Sequence, residues 1–300
     1  ISGADFTDAS LREADLRRAV GTSVIFDGAD LSGSVMDGAL LRGASFRGAR
    51  MVAATAREVD LTGADLTGAV LHGAHVIVGG SSRFLDHEDR GVDLTGASVA
   101  EAILDRAVLT DAVLVGSDLT GADLDGATLV RADLNDAVLV GVDLTGARSW
   151  GVSLVGVDLR GADLRLIDWS GLDISGAHLS KADLSGAILT GTRLVGADFR
   201  GTLLVAANLT GADLTGSDLK EADLSSAILK DAILADAAVS GTSMVGAVLI
   251  GADFTGVNLE SINLKDSIVT ARELRTAVGF NNSLHTIQLQ VAEAKRDQTL

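Results

Sequence analysis

The sequence predicts an all-β solenoid, in which short extended segments alternate with corners and successive coils stack. Three observations predict it: leucine recurs almost every five residues over 94–144, a small residue stands two positions before most of these leucines, and Gly or a polar residue stands two positions after. Residues five apart do not share a face of an α-helix, and a plain β-strand would move the leucine to the opposite face at every repeat. A segment that points the small residue and the leucine inward, and then turns, fits all three observations.

The composition indicates a narrow and uniform core. The 300 residues include 35 Gly, only 3% aromatic residues, and no Pro, Cys or Tyr. A conventional core would lack its large aromatic fillers, so regularly spaced Leu and Ala must supply the buried surface. The absence of cysteine excludes a disulfide framework and a thiolate metal site. No apolar run reaches the roughly 20 residues that span a bilayer, and we expect a cytoplasmic protein without membrane contact.

The charge of the chain restricts its partners. The formal net charge is −17 and the isoelectric point is about 4.5. Direct nucleic-acid binding is disfavoured, because it requires a basic patch. The charge favours solubility, basic partners or imitation of a nucleic acid, and solubility is the simplest explanation of the charge taken alone.

The first block of repeats runs from Ala4 to about Val76. The chain opens inside a repeat, so we expect further residues before Ile1 in the natural protein. Gly21 and Ala56 occupy central positions normally held by leucine, which predicts thin places in the core. Residues 77–91 then lack the pattern, and the step from Val76 to Leu94 is eighteen, which is not a multiple of five. We expect a loop that bulges from the solenoid, because the same repeat resumes after it.

The second block runs from Leu94 to about Val269, so we assign 1–269 to one repeat domain. Trp169 and Ser149 replace leucine at two central positions in this block. Ile167 and Leu172 replace alanine beside Trp169, which predicts a locally repacked core.

Residues 270–300 are predicted to form a helical cap. Leu274, Ala277 and Val278 have helical spacing, and Thr270 with Glu273 forms a capping-box pattern. A second helix is predicted after Asn281-Asn282-Ser283. The open end of a solenoid exposes unpaired backbone groups, so a terminal cap is required.

No arrangement of residues predicts catalysis, a cofactor or a metal. The five histidines are His72, His75, His87, His178 and His285. His72 or His75 with His87 offers a pair of metal ligands, but solvated surface histidines are much commoner. Gly79-Gly80-Ser81-Ser82 is too short for a phosphate-binding loop. We therefore expect a protein that is not an enzyme.

The pattern A-[DN]-[LF]-x-G resembles the repeat of the pentapeptide repeat family, over about nine tenths of the chain. It is matched residue for residue by Ala122-Asp123-Leu124, Ala162-Asp163-Leu164, Ala182-Asp183-Leu184 and Ala212-Asp213-Leu214. The resemblance implies a right-handed, quadrilateral parallel β-helix with four repeats in each coil.

The resemblance also implies two classes of function. Some members are similar to B-form DNA in width and charge, bind DNA gyrase or topoisomerase IV, and are linked to fluoroquinolone resistance. Several of these form dimers through a C-terminal helix. In this chain we single out Leu274, Val278 and Phe280 as candidates for a dimer contact and for capping the last coil. The alternative is an interaction scaffold with an unknown protein partner.

Two surface features are candidate binding sites. If residues twenty apart stack, the first is an acidic ladder of Asp123, Asp143, Asp163 and Asp183, with Asp105 and Asp125 beside it. The competing explanation is that each Asp bonds to the backbone of its own turn. The second is an adjacent apolar face, which a partner or the C-terminal tail would cover. It comprises Val108, Val130, Trp150, Ile188, Ile228, Val248, Ile250 and Ile268. In the 77–91 loop, the candidate partner-binding residues are Arg83, Phe84, Asp86, Glu88 and Asp89.

Overall fold

The computed structural model describes residues 1–72, 74 and 92–278. The chain divides into two compact units, Ile1–Asp158 and Leu159–Leu300. In each unit the chain winds in coils whose sides are single five-residue repeats. A repeat contributes one outward residue that bridges to the next coil, one large inward residue, two turn residues and one small inward residue.

Four ladders of parallel bridges define the coils of the first unit. Away from the interruption, each bridge joins residues twenty apart, so one coil contains four repeats. The expected four-sided β-helix is therefore present. The ladders begin with Asp5–Ile25–Ser45–Asp65 (ladder 1), Ser10–Asp30–Arg50–Val70 (ladder 2), Asp15–Val35–Thr55 (ladder 3) and Val20–Leu40–Asp60–Asp93 (ladder 4).

The interruption of the repeat inserts thirteen residues without changing the register of the coils. Asp60 bridges Asp93, a step of 33 residues where the regular step is twenty. The backbone N–H of Val108 donates to the carbonyl of Ala74 at 3.1 Å, so the insertion falls between Ala74 and Val92. The bridges thus continue on the far side of the interruption. The whole of the predicted loop, 77–91, lies outside the described residues.

Almost every described corner is a turn closed by a backbone hydrogen bond. At a representative corner, the N–H of Ala29 donates to the carbonyl of Phe26 at 3.0 Å, and Gly28 has a φ of +67°. A positive φ at the third residue is what a type II turn requires. Gly28 stands two positions after the central Phe26, as the sequence pattern predicts.

The core of the first unit is a stack of inward side chains. Leu124 has no exposed surface, and Phe6, Phe26 and Phe46 stack with ring centroids 5.2 and 4.9 Å apart. A cavity of about 20 Å³ lies beside Ala56, which confirms the predicted thin place there.

The prediction of a thin place at Gly21 was wrong. A β-carbon at this position would lie 2.6 Å from Val24 Cγ2 and 2.9 Å from Ile1 Cγ1, so neighbouring side chains already fill the space.

The second unit has four ladders of its own. They are Asp163–Asp183–Leu203–Asp223–Ser243–Asn263 (ladder 5), Asp168–Ile188–Asn208–Ile228–Val248–Ile268 (ladder 6), Asp173–Arg193–Asp213–Ile233–Asp253 (ladder 7) and His178–Asp198–Asp218–Ala238 (ladder 8). Trp169 is buried, and its carbonyl accepts a hydrogen bond from the hydroxyl of buried Thr192 at 2.8 Å. The core thus accommodates Trp169 at a central position, as it does Phe199 and Phe254.

The last coil ends in a one-turn helix, α1 (Ala271–Leu274). Thr270 is its N-cap, and the predicted capping box with Glu273 is present. The predicted continuation of the helix to Val278 was wrong. Val278 bridges Asn258 instead, with its N–H 2.8 Å from the Val257 carbonyl, because the open edge of the coil offers backbone partners there. Within the described ranges, no helix has the length and apolar character needed to cross a membrane.

Candidate functional site

The predicted acidic ladder divides into two pairs, one in each unit. Asp123 bridges Asp143 at the end of ladder 2, and Asp163 bridges Asp183 at the start of ladder 5. Each carboxylate accepts a hydrogen bond from a backbone N–H two residues further along the chain. The donors are Asp125 (3.0 Å), Thr145 (2.8 Å), Arg165 (3.2 Å) and Ser185 (2.9 Å), respectively. The explanation that each Asp bonds to its own turn is therefore correct.

The turn bond orients the carboxylate and is common to both pairs. The two pairs differ in the charged side chains next to them. In the second unit, the guanidinium of Arg165 binds Asp163 at 2.5 Å and lies 4.0 Å from Asp183. The side-chain hydrogen bond from Arg165 lowers the pKa of Asp163. In the described part of the chain, no Lys or Arg side chain forms a salt bridge with Asp123, Asp125 or Asp143.

Asp105 and Asp125 extend the Asp123–Asp143 pair into a cluster. They occupy equivalent turn positions of successive coils, because the N–H of Arg106 donates to the Asp125 carbonyl at 2.8 Å. We call Asp105, Asp123, Asp125 and Asp143 the acidic face. All four side chains are at least partly exposed. Asp105 differs from the others because its carboxylate contacts His72 Nδ1 at 2.6 Å.

The acidic face belongs to the most acidic stretch of the chain. Residues 92–158 contain eleven Asp and Glu but only three Arg and no Lys, whereas residues 1–72 contain ten acidic residues and seven Arg. One of the three, Arg131, pairs with Asp111. The negative potential is therefore concentrated on these coils, and the sequence predicted the acidic residues there but not this contrast along the chain.

The predicted apolar face divides in the same way. In the first unit, Val108 heads a ladder with Thr128 and Arg148, and the side chain of Trp150 is 73% exposed at a neighbouring turn. Val130 stacks next to Trp150, whose carbonyl accepts from the N–H of Arg131 at 3.0 Å. In the second unit, ladder 6 brings together Ile188, Ile228, Val248 and Ile268, and Ile250 lies at the turn that follows Val248.

The C-terminal candidates have different environments. Leu274 is fully buried, whereas the Val278 side chain is 57% exposed. Phe280 and the loop candidates Arg83, Phe84, Asp86, Glu88 and Asp89 lie outside the described residues, as do His75 and His87. Among the residues that are described, no group of three His, Cys, Asp or Glu side chains could hold a metal ion.

The chain belongs to the pentapeptide repeat family. A family model described as "Pentapeptide repeats (8 copies)" matches residues 1–38, 36–73, 90–126, 114–148, 153–191, 192–231 and 232–270. A comparison with curated proteins gives no match.

Among solved structures, HetL from the cyanobacterium Nostoc sp. strain PCC 7120 is 31% identical. That protein is a pentapeptide repeat protein involved in heterocyst differentiation regulation. The match covers 74% of this chain and 88% of HetL, with a TM-score of 0.50. QnrB1, a plasmid-mediated fluoroquinolone resistance protein, is 16% identical over 85% of this chain and 99% of its own, with a TM-score of 0.30. A pentapeptide repeat protein from the Arabidopsis thaliana thylakoid lumen is 30% identical over 36% of this chain and 71% of its own, with a TM-score of 0.25.

Proposed function

We propose that this chain is a non-catalytic, cytoplasmic protein-binding module whose acidic face binds a basic surface of another protein. The observation that carries the proposal is the juxtaposition of four exposed or partly exposed carboxylates with no Lys or Arg salt bridge to Asp123, Asp125 or Asp143 within the described residues. Turn bonds hold the carboxylates of Asp123 and Asp143, and the contact with His72 holds that of Asp105, before a partner arrives. Preordered carboxylates lose less side-chain entropy on binding than mobile ones would.

The specific partner that we propose is the DNA-binding surface of DNA gyrase or topoisomerase IV. Bridged residues on successive coils repeat at about 4.8 Å, whereas duplex DNA presents one charge per about 1.7 Å of its axis. The array is therefore sparser than DNA, but it is equally regular. A surface that binds phosphates would accept it at a lower charge density, and association would weaken as salt rises.

The test compares two variants that each lose four negative charges. In the first, Asp105, Asp123, Asp125 and Asp143 are changed to Asn. In the matched control, four ion-paired residues of the second unit are changed to Asn: Asp163, Asp173, Asp198 and Asp218. Inhibition of gyrase supercoiling and the salt dependence of gyrase binding are measured for both.

We expect the first variant to lose inhibition and to show a shallower salt dependence, while the control stays close to wild type. Equal losses in both variants would mean that net charge matters and the acidic face does not. Wild-type protein that binds a basic partner but never inhibits gyrase would reject gyrase and retain the acidic face.

A scaffold function is the second candidate, and Trp150 is the observation that favours it. A tryptophan that is 73% exposed is unusual in a chain with only two tryptophans, and Trp is enriched among residues that dominate protein interfaces. This candidate predicts that Trp150→Asp abolishes binding of the partner and that the Asn variant of the acidic face does not.

A homodimer through the C-terminal region is a further part of the proposal. Of the candidates Leu274 and Val278, Leu274 is buried and Val278 is exposed, so we assign the contact to Val278. We expect Val278→Asp to convert a dimer to a monomer in light scattering. An unchanged mass would remove Val278 from the interface.

A further inference from the structure

The side of the second unit that carries ladder 6 differs chemically from the other three. Between Ile188 and Val248 its bridging residues are all uncharged, and the turn residues that flank them carry charge only at Lys230 and Asp231. In the same coils the other ladders contain Asp183 and Asp223, Arg193, Asp213 and Asp253, and Asp198 and Asp218. In a chain of net charge −17, a side without a charged bridging residue over these coils is a local exception.

This side also exposes large apolar side chains. Ile188, Ile228, Ile250 and Ile268 are 40%, 39%, 44% and 36% exposed. Ile228, Ile250 and Ile268 lie on three successive coils, and Ile188 lies two coils before Ile228, with Asn208 between them. We call this patch the ladder-6 face. Stacked exposed isoleucines, unlike single ones, indicate a surface that another segment covers.

The size of the face favours a short segment over a second copy of the chain. The face lies on five coils, from Ile188 to Ile268, and their four spacings of about 4.8 Å extend over roughly 19 Å. Multiplied by the width of one side, this length gives an area on the order of 300 Å². A stable interface between two proteins needs about 800 Å² from each partner. The ladder-6 face alone is too small for that, but a peptide of about six residues covers it.

The C-terminal 22 residues, 279–300, have the matching chemistry. Their side chains carry no net charge, since Glu293 and Asp297 balance Lys295 and Arg296. Thr286 to Val291 reads T-I-Q-L-Q-V, and Ile287 and Val291, four apart, fall on one side in both an extended and a helical conformation. The segment therefore offers an apolar side of the required length.

The end of the described chain places this segment within reach. Val278 pairs with Asn258, and the chain itself needs only ten residues to pass from Asn258 to Ile268 at the end of ladder 6. The same ten-residue path from Val278 leads to residue 288, between Ile287 and Val291. We propose that the segment 279–300 folds back onto its own unit and covers the ladder-6 face with Ile287 and Val291. This proposal is independent of the acidic face and its partner.

The chain contains no cysteine, so engineered pairs report proximity without background. In the full chain, Ile228→Cys with Val291→Cys is treated with a flexible bismaleimide. The matched control joins Val291→Cys with Ile233→Cys, which is equally exposed (40%) but lies on ladder 7. We expect a monomeric cross-linked product from the first pair and little from the second. Equal yields, or a dimeric product, would overturn the proposal, the latter in favour of a second copy.

Labelling of single cysteines provides a second measurement that needs no cross-link geometry. We expect Ile287→Asp with Val291→Asp to increase the maleimide labelling rate of Ile228→Cys several-fold and to leave that of Ile233→Cys unchanged. Circular dichroism checks that the coils remain folded. A labelling rate of Ile228→Cys that is unchanged by the two tail substitutions would show that the tail does not cover the face.

Discussion

At the bridging positions, an aspartate both closes its own turn and carries charge to the surface. Asp30 accepts hydrogen bonds from the Ser32 hydroxyl at 2.6 Å and from the Ser32 N–H at 3.1 Å. The same two bonds recur at Asp173 and Asp213, where Ser or Thr stands two positions later. At Asp118 and Asp143 only the backbone N–H of the following Thr donates. The repeat A-D-L-[TS]-G thus encodes its turn locally, which is why the sequence predicts the corners so well.

The hydrogen bonds of Asp30 have a measurable consequence for titration. The Ser32 hydroxyl first, then the Ser32 N–H and Arg12, lower the pKa of Asp30 to about 2. A folded-state pKa below the unfolded value of about 3.9 adds stability above pH 4, which is lost as pH falls towards 2. We expect Ser32→Ala to raise the pKa of Asp30, measured by NMR of its carboxyl carbon. Asp15 is the control, because its pKa of about 2 depends first on Arg17. A pKa of Asp30 that does not move would contradict the assignment to Ser32.

A second residue-scale prediction concerns the core. Leu124 is fully buried between successive coils, so Leu124→Asp places an unpaired carboxylate where no water can solvate it. We expect the free energy of unfolding to fall by more than about 4 kcal/mol in chemical denaturation. Trp150→Asp, at an exposed position, is expected to change it by no more than about 0.5 kcal/mol. Similar stability of the two variants would show that Leu124 is not a core position.

At the scale of the coil, the sequence predicts the five-residue side but not the number of sides. A five-residue period is compatible with a coil of any number of sides. Only the bridges between residues twenty apart show that each coil has four sides. The family resemblance supplied that number beforehand. The path after α1 was mispredicted for a related reason. Helical spacing at Leu274 and Val278 is a local signal, whereas the edge that Val278 joins is created by Val257 and Leu259 of the preceding coil.

The insertion gives the prediction at this scale. The coils resume register after thirteen extra residues, so deleting residues 78–90 restores the twenty-residue step and leaves Gly91 at the turn before Val92 and Asp93. We expect this deletion to preserve the fold and the melting temperature. Deleting only 78–89 leaves one extra residue, and a shift of one residue moves inward side chains outward. Circular dichroism and thermal unfolding compare the two, and equal stability would show that register across the insertion is not constrained.

At the scale of the molecule, charge distribution separates the candidate site from the repeat that builds it. Every coil uses aspartate in its turns, so the positions of Asp123 and Asp143 were predictable from the repeat. That neither forms a salt bridge with a Lys or Arg within the described residues was not predictable, because this depends on which residue stands two positions on and which stands one coil away. Arg165 follows Asp163 in this way, whereas Asp125 follows Asp123. The sequence therefore predicted the positions of the acidic residues, but it could not predict which of them form salt bridges.

The same distribution predicts how salt acts on stability. A net charge of −17, concentrated in residues 92–158, adds repulsion that the folded state must overcome. The Debye length falls from about 30 Å at 0.01 M salt to about 8 Å at 0.15 M, which screens this repulsion. The surface salt bridges that salt also weakens contribute only about 0–1 kcal/mol each.

We therefore expect the melting temperature in calorimetry to rise with added sodium chloride. The rise should be smaller in the variant with Asn at Asp105, Asp123, Asp125 and Asp143, because less repulsion remains to be screened. A melting temperature that falls with salt would mean that the ion pairs, such as Arg131 with Asp111, outweigh the repulsion of the acidic coils.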